Sequence, residues 1–151
     1  MNSEKVQLKE SSEVSSENKQ IFIVDDDESV CRALNVLLGT YGFTVNSFTS
    51  AENFFHTVPN STPGCLLLDI HMPTLDGWET LNYLRRSGSS RPVIIISADK
   101  NGGGLNDRSL KAGAVGYLQK PFNDQALVDL INIAIKKKFP TDPKKASGRD
   151  K

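Results

Sequence analysis

Five short apolar segments alternate with five helical patterns along the middle of the chain, and this alternation restricts the fold more than any other feature. The segments are IFIV, FTVNSF, CLLLDI, PVIIIS and AVGYLQK. Residues 21–24 form a continuous apolar run, which is typical of a strand covered on both faces. Short strands separated by helices pair in parallel through right-handed crossovers. The sequence therefore predicts an α/β fold with a doubly wound, five-stranded parallel sheet and five helices.

The two ends of the chain differ in composition from this middle part. Both ends are rich in polar and charged residues without periodicity, so we expect a disordered tail at 1–19, one domain at 20–138 and a flexible tail at 139–151. The formal net charge is zero, which gives no reason to expect nucleic-acid or membrane binding. No apolar run is long enough to span a bilayer and no secretory h-region is present, which predicts a cytoplasmic domain with Cys31 and Cys65 as free thiols.

Polar residues stand at the ends of four of the five apolar segments. They are Asp25, Asp26 and Asp27 after the first, Asp69 in the third, Ser97 in the fourth and Lys120 in the fifth. Each has a structural explanation when taken alone, such as capping of the next helix by Asp27. In a doubly wound sheet, however, the carboxyl ends of the strands share one edge, and ligands bind there. The joint pattern therefore predicts a functional site.

The residue types at this edge suit phosphoryl chemistry. Neighbouring carboxylates repel each other unless a cation lies among them, and hard oxygen ligands of this kind suit Mg²⁺. Asp69 would serve as a metal ligand and as a nucleophile toward a phosphoryl group. Lys120 and Ser97 would stabilise the phosphoryl oxygens. The predicted product is an acyl phosphate on Asp69.

Four motifs in their order and spacing resemble the response-regulator receiver domains of two-component signalling, over about residues 20–138. The motifs are VDDD, LLLDIHMPTLDGWE, the apolar run to Ser97 and Ala98, and AGAVGYLQKPF. SFTSAENFF and AGAVGYLQKPFNDQALVDLI further resemble receivers of the nitrogen-fixation regulator type. The resemblance implies a flavodoxin-like strand order 2-1-3-4-5 and phosphorylation by a histidine kinase or phosphotransfer protein. Partners would meet the face formed by the fourth helix, fifth strand and fifth helix, and a phosphorylation-dependent dimer is compatible with it.

The resemblance also implies the roles of the residues around the phosphate. Asp69 would be the phosphoacceptor. Asp25 and Asp26 would be the acidic pair, with Asp26 contacting Mg²⁺ directly and Asp25 largely through water. The backbone carbonyl of His71 would be the third metal contact, and Lys120 would contact the phosphate.

Other residues acquire switching or tuning roles through the same resemblance. Ser97 would be the switch hydroxyl, and Tyr117 the aromatic whose rotamer follows it. The Lys120–Pro121 bond is expected to be cis. The side chains of His71 and Asp99 would tune the acyl-phosphate lifetime, with simple exposure as the alternative.

Three glycines precede the fourth helix, at residues 102–104. Glycine disfavours helix by about 1 kcal/mol relative to alanine, so we expect a weakly formed helix start. The segment is either a flexible surface loop or one that phosphorylation orders.

The sequence shows no helix-turn-helix pattern. The chain is therefore expected to act through protein contacts, as a stand-alone receiver, which its tails favour, or as a piece of a longer protein.

Two other functions are compatible with parts of the pattern. A phosphatase of the haloacid-dehalogenase class also uses a strand-end aspartate and Mg²⁺, and DDDES offers Asp25 and Asp27 in the right spacing. That class places its nucleophile in the first strand and usually has a longer chain. A receiver-like scaffold that does not use phosphate is the second alternative, against which the complete residue set argues. We therefore expect no enzyme activity beyond the chain's own phosphoryl transfer and acyl-phosphate hydrolysis.

Overall fold

The computed structural model describes residues 19–72, 75–98 and 104–136. The strands are Gln20–Val24 (β1), Thr44–Phe48 (β2), Cys65–Asp69 (β3), Val93–Ser97 (β4) and Gly116–Gln119 (β5). The helices are Glu28–Thr40 (α1), Ala51–Thr57 (α2), Gly77–Arg86 (α3), Leu105–Lys111 (α4) and Asp124–Lys136 (α5). All neighbouring strands pair in parallel, in the order β2-β1-β3-β4-β5. The predicted fold and strand order are confirmed, and the predicted tails lie outside the described residues except for Lys19.

The sheet separates two apolar layers because successive side chains of a strand point to opposite faces. Ile21 and Ile23 of β1 face the layer that α1 and α5 cover. Phe22 and Val24 face the other layer, which α2 and α3 cover. All residues of β3 and β4 are buried, which explains why these strands are continuous apolar runs rather than alternating patterns.

Side-chain caps fix where three helices begin. Asp27 accepts from the N–H groups of Ser29 and Val30 at the start of α1, as predicted, and Ser50 accepts from an N–H at the start of α2. Asp76 and Glu79 form a capping box at the start of α3. The apolar spacing of Leu75, Trp78, Leu81 and Leu84 by itself predicts that this helix includes Leu75. The box instead begins the helix at Gly77, and Leu75 packs against the core from the preceding loop.

Four of the five strands are slightly shorter than the apolar segments that predicted them, whereas β1 begins one residue earlier, at Gln20. Ile70, Pro92 and Lys120 lie just outside β3, β4 and β5. Both cysteines are buried free thiols, as predicted. Within the described ranges no helix has the length and hydropathy needed to cross a membrane.

Candidate functional site

The polar residues predicted at the strand ends meet at the carboxyl edge of the sheet. Asp25 directly follows β1 and is fully buried, and Asp69 ends β3 with 4% of its surface exposed. Ser97 ends β4 and is also fully buried. Lys120 follows β5, and its backbone N–H donates to the carbonyl oxygen of Ser97 at 2.6 Å. The short connections after each strand therefore bring these four residues to one place.

Lys120 lies between two carboxylates. Its Nζ is 2.8 Å from Oδ2 of Asp25 and 3.7 Å from Oδ2 of Asp69. Burial lowers the pKa of Lys120, but the hydrogen bond that Lys120 donates to Asp25 and the charges of Asp25 and Asp69 outweigh this effect and leave the pKa raised. The ammonium group is therefore firmly charged. The Lys120–Pro121 bond is cis, as expected from the resemblance.

Asp69 has an unusual pKa because several groups act on it together. Burial raises the pKa of its carboxyl to about 6. The N–H of His71 donates to Oδ1 of Asp69 at 3.1 Å and lowers this pKa. The charge of Asp25 raises it, and the charge of Lys120 lowers it. At neutral pH the carboxylate form therefore still predominates.

Three carboxylates approach closely enough to share a cation. Oxygen atoms of Asp25, Asp26 and Asp69 all lie within 4.8 Å of one another. Asp26 is exposed, while Asp25 and Asp69 are buried. This set of hard oxygen donors, open to water on one side, fits Mg²⁺, which keeps several of its waters when it binds proteins.

The backbone turns at Ile70, directly after Asp69, and Gly77 packs against this turn. The N–H of Gly77 donates to the carbonyl of Ile70 at 3.1 Å. A Cβ at Gly77 would lie 2.5 Å from Cα of Ile70 and 2.9 Å from the carbonyl oxygen of Asp69. Only glycine therefore allows α3 to begin this close to Asp69.

Replacing Gly77 with alanine is expected to lower the free energy of unfolding by about 1–3 kcal/mol, the usual cost of forcing extra atoms into a packed region. Two of the three nearest contacts are with backbone atoms, which cannot rotate away, and the third is with Cγ2 of Ile70 at 2.7 Å. Gly39→Ala is the matched control, because a Cβ there meets nothing within 4 Å, and helix propensity should stabilise that variant by up to about 1 kcal/mol. Urea unfolding followed by circular dichroism measures both. Equal effects of the two substitutions would contradict this account of Gly77.

The remaining predicted residues are placed only in part. Tyr117 in β5 is half-buried, and its hydroxyl is buried without a hydrogen-bond partner among the described residues. The side chains of His71 and His56 are exposed, and exposure was the sequence interpretation of His56. Asp99 lies outside the described residues. Gly104 precedes α4 with φ of +88° and provides no side-chain cap, as expected for a weakly formed helix start.

An apolar groove beside Lys120 was not predicted. It has a volume of about 600 Å³, and it is lined by Val30, Ala33, Leu34, Leu37, Ala98, Lys120, Pro121, Phe122 and Asp124. The residues from α1 recur at helical spacing and form one apolar stripe. Ala33 is exposed and Leu37 only half-buried, so part of that stripe faces the groove.

Comparisons with known proteins agree with this geometry. The family model described as the response regulator receiver domain matches residues 21–132. Transcriptional regulatory protein FixJ of Bradyrhizobium diazoefficiens is 35% identical over 130 residues, which cover 86% of this chain and 63% of FixJ. Response regulator protein TodT of Pseudomonas putida is 37% identical over 121 residues, which cover 77% of this chain and 51% of TodT. The crystal structure of FixJ-N matches with a TM-score of 0.71 at 33% identity and covers 79% of this chain and 94% of that one. The chain therefore spans about half to two thirds of the length of these curated relatives.

Proposed function

The chain belongs to the family of response regulator receiver domains, and from this premise we propose that Asp69 is the residue that accepts the phosphoryl group. Receiver domains of this family work with a histidine kinase and a downstream effector, and those of transcriptional regulators are typically not enzymes. The observation that carries the assignment is the position of the Lys120 ammonium, 2.8 Å from Asp25 and 3.7 Å from Asp69. The Lys120 ammonium is therefore a positive charge beside the carboxylate of Asp69, which ends β3.

The proposed reaction is a transfer of the phosphoryl group to a carboxylate oxygen of Asp69. The oxygen attacks phosphorus, the bond between phosphorus and the donor breaks, and the donor leaves with that bond's electron pair. Lys120 stabilises the charge on the transferred oxygens, and the Ser97 hydroxyl donates to one of them. Asp25 holds Lys120 in position through its hydrogen bond. The burial of Asp69 limits competition from water.

Mg²⁺ is the proposed cofactor, held by Asp26, Asp69 and the backbone carbonyl of His71, with Asp25 acting largely through water. Both carboxylate oxygens of Asp25 already accept protein hydrogen bonds, from the N–H of Asp27 at 3.0 Å and from Lys120 at 2.8 Å. This supports an indirect role for Asp25. When bound, Mg²⁺ would neutralise charge on the phosphoryl oxygens and on the clustered acids.

Adding Mg²⁺ is expected to raise the melting temperature of the wild-type protein. The melting temperature of the Asp26→Asn variant should hardly change. At a concentration ten times the dissociation constant, binding stabilises the folded state by about 1.4 kcal/mol, which corresponds to a shift of about 3–8 °C for a domain of this size. Asp27→Asn is the matched control: it removes the same charge one residue away, from a side chain that caps α1, and asparagine retains the cap. Equal Mg²⁺ shifts in all three proteins would refute the assignment of Asp26.

The proposed switch begins at Ser97 and reaches the surface formed by α4, β5 and α5. A dianion on Asp69 would attract the Ser97 hydroxyl, and Tyr117 would reorient with it. The buried tyrosine hydroxyl without a described hydrogen-bond partner supports this, because such a group gains a partner by moving. A downstream protein would bind this surface, with His71 and Asp99 tuning the acyl-phosphate lifetime.

The apolar groove beside Lys120 is the place where we propose the phosphodonor protein packs, since it borders the acceptor site.

Incubation with acetyl phosphate and Mg²⁺ tests the proposed function without requiring the cognate kinase. The intact mass should increase by one phosphoryl group, only when Mg²⁺ is present. Hydroxylamine should remove the added mass, because it cleaves acyl phosphates. A protein that gains no mass under these conditions would instead fit the receiver-like scaffold that does not use phosphate.

A further inference from the structure

Helix α4 depends on its neighbours for stability. It has seven residues, all of them described, and among these only Ser109 is fully buried. Leu105 adds a half-buried apolar contact. The N-cap position is Gly104, which has no side chain to bind the first N–H groups. A helix this short is not stable in isolation, so contacts from other elements decide how firmly it is held.

Two arginines connect α3 with α4 and with the residues that follow α4. The guanidinium carbon of Arg108 in α4 lies 4.0 Å from the centroid of the Trp78 ring in α3. From the α3 side, Arg85 donates to the carbonyl of Gly113 at 2.7 Å and to that of Ser89 at 3.0 Å. Gly113 follows α4 with φ of +100°, and a Cβ there would lie 2.9 Å from Nε of Arg85.

Trp78 directly follows Gly77, the residue that packs against the turn after Asp69. Gly77 donates its N–H to Ile70, and its Cα faces the backbone of Ile70 and the carbonyl oxygen of Asp69 without room for a side chain. The indole under Arg108 therefore belongs to the residue next to this close backbone contact. The path from Asp69 to α4 through Trp78 does not include Ser97 or Tyr117.

We propose that the Arg108–Trp78 stack is a tether that sets how firmly α4 is held against α3, and that it joins the turn after Asp69 to this helix. The stack joins two side chains that take no part in the proposed phosphoryl transfer, so the tether acts whether or not Asp69 accepts phosphate. Arg108 is exposed while Trp78 is half-buried, so removal of the guanidinium leaves the core intact. The consequence is local opening of α4 rather than global unfolding.

Hydrogen exchange of the unphosphorylated protein tests the tether. Arg108→Ala should speed exchange of the α4 amides, which include that of residue 108 bonded to Gly104 and that of residue 112 bonded to Arg108. A guanidinium–indole contact of this exposure corresponds to about two- to five-fold faster exchange. Lys111→Ala is the matched control, because Lys111 is a cation of the same helix whose only described ion pair is with Asp107 at 3.6 Å, both side chains being exposed. Equal acceleration by the two substitutions would overturn the proposal.

A double substitution separates the stack from a general effect of the arginine. In a Trp78→Leu background, Arg108→Ala should produce no further acceleration, because the ring that it contacts is gone. Acceleration of the same size in both backgrounds would overturn the proposal. Trp78 is the single tryptophan of the chain, so its emission gives an independent measurement: Arg108→Ala should shift it to longer wavelength and Lys111→Ala should not. None of these measurements uses phosphate. They can therefore refute the tether while Asp69 is phosphorylated as proposed, and they can support the tether in a protein that is not phosphorylated.

Discussion

Asp69→Asn is expected to abolish the mass increase that acetyl phosphate and Mg²⁺ produce in the wild-type protein. Asparagine keeps the shape of the side chain but replaces the nucleophilic carboxylate with an amide, which does not form an acyl phosphate. It also removes the negative charge of one of the three carboxylates whose oxygens lie within 4.8 Å of one another. The expected effect is the complete loss of the phosphorylated species in intact-mass spectra.

The control for this experiment is Asp129→Asn, which changes an exposed aspartate on α5 that accepts a hydrogen bond from Gln125. This variant should be phosphorylated like the wild type. An undiminished mass increase in Asp69→Asn would refute the assignment of the acceptor. Turnover of a small phosphomonoester that survives in Asp69→Asn would instead favour the phosphatase of the haloacid-dehalogenase class.

Lys120→Met is expected to lower the free energy of unfolding by about 2–4 kcal/mol in the presence of EDTA. Methionine has nearly the same length and removes only the charge. Removal of one partner from a buried ion pair typically costs about 3–5 kcal/mol, since the other charge remains buried without compensation. We expect a somewhat smaller loss of unfolding free energy because 20% of the Lys120 side chain is exposed, although the Asp25 side chain is fully buried. Urea unfolding at constant pH measures the difference.

The deficit of Lys120→Met should grow between pH 5 and pH 8. The carboxyl of Asp69 has a pKa of about 6 in the folded chain, raised from its ordinary value of 3.8 mainly by burial. A carboxyl with a raised folded pKa favours folding below its unfolded pKa, and this contribution is lost as the pH rises through the folded value. Lys120 lowers the pKa of Asp69, so its removal makes this loss larger.

Lys111→Met provides the comparison for both measurements. It removes an ammonium group whose side chain is 79% exposed and whose ion pair with Asp107 spans 3.6 Å. Exposed pairs within a helix contribute only a few tenths of a kcal/mol, so we expect little change at either pH. A pH-independent deficit in Lys120→Met, or a deficit no larger than that of Lys111→Met, would contradict the role assigned to Lys120.

The alternation of apolar segments was sufficient to predict the sheet, because buried parallel strands leave a continuous apolar pattern that needs no tertiary information. It was also sufficient to predict that Asp25, Asp69, Ser97 and Lys120 share one edge, since the carboxyl ends of parallel strands must lie together. The strand order came from the resemblance to a family. Local hydrogen bonding explains why the caps at Asp27 and Ser50 could be predicted from residue type.

Features that depend on contacts between distant parts of the chain were not predictable in this way. Arg91 would ordinarily be expected at the surface. In the structure it is 6% exposed, with its guanidinium near the Phe22 and Phe54 rings and donating to the carbonyls of Gly64 and Pro59. A single charged residue in a sequence carries no sign of the carbonyls and rings that will surround it.

The sequence alone determined the fold class, the edge at which the site lies and the residue types that meet there, because periodicity and strand direction are local properties. Only the tertiary structure decided that Lys120 lies closer to Asp25 than to Asp69, that burial raises the pKa of Asp69 to about 6, and that Arg108 lies over Trp78. These properties depend on distances across the sheet and between helices. Such distances are set by how the packed elements fit together, and no pattern along the chain records them.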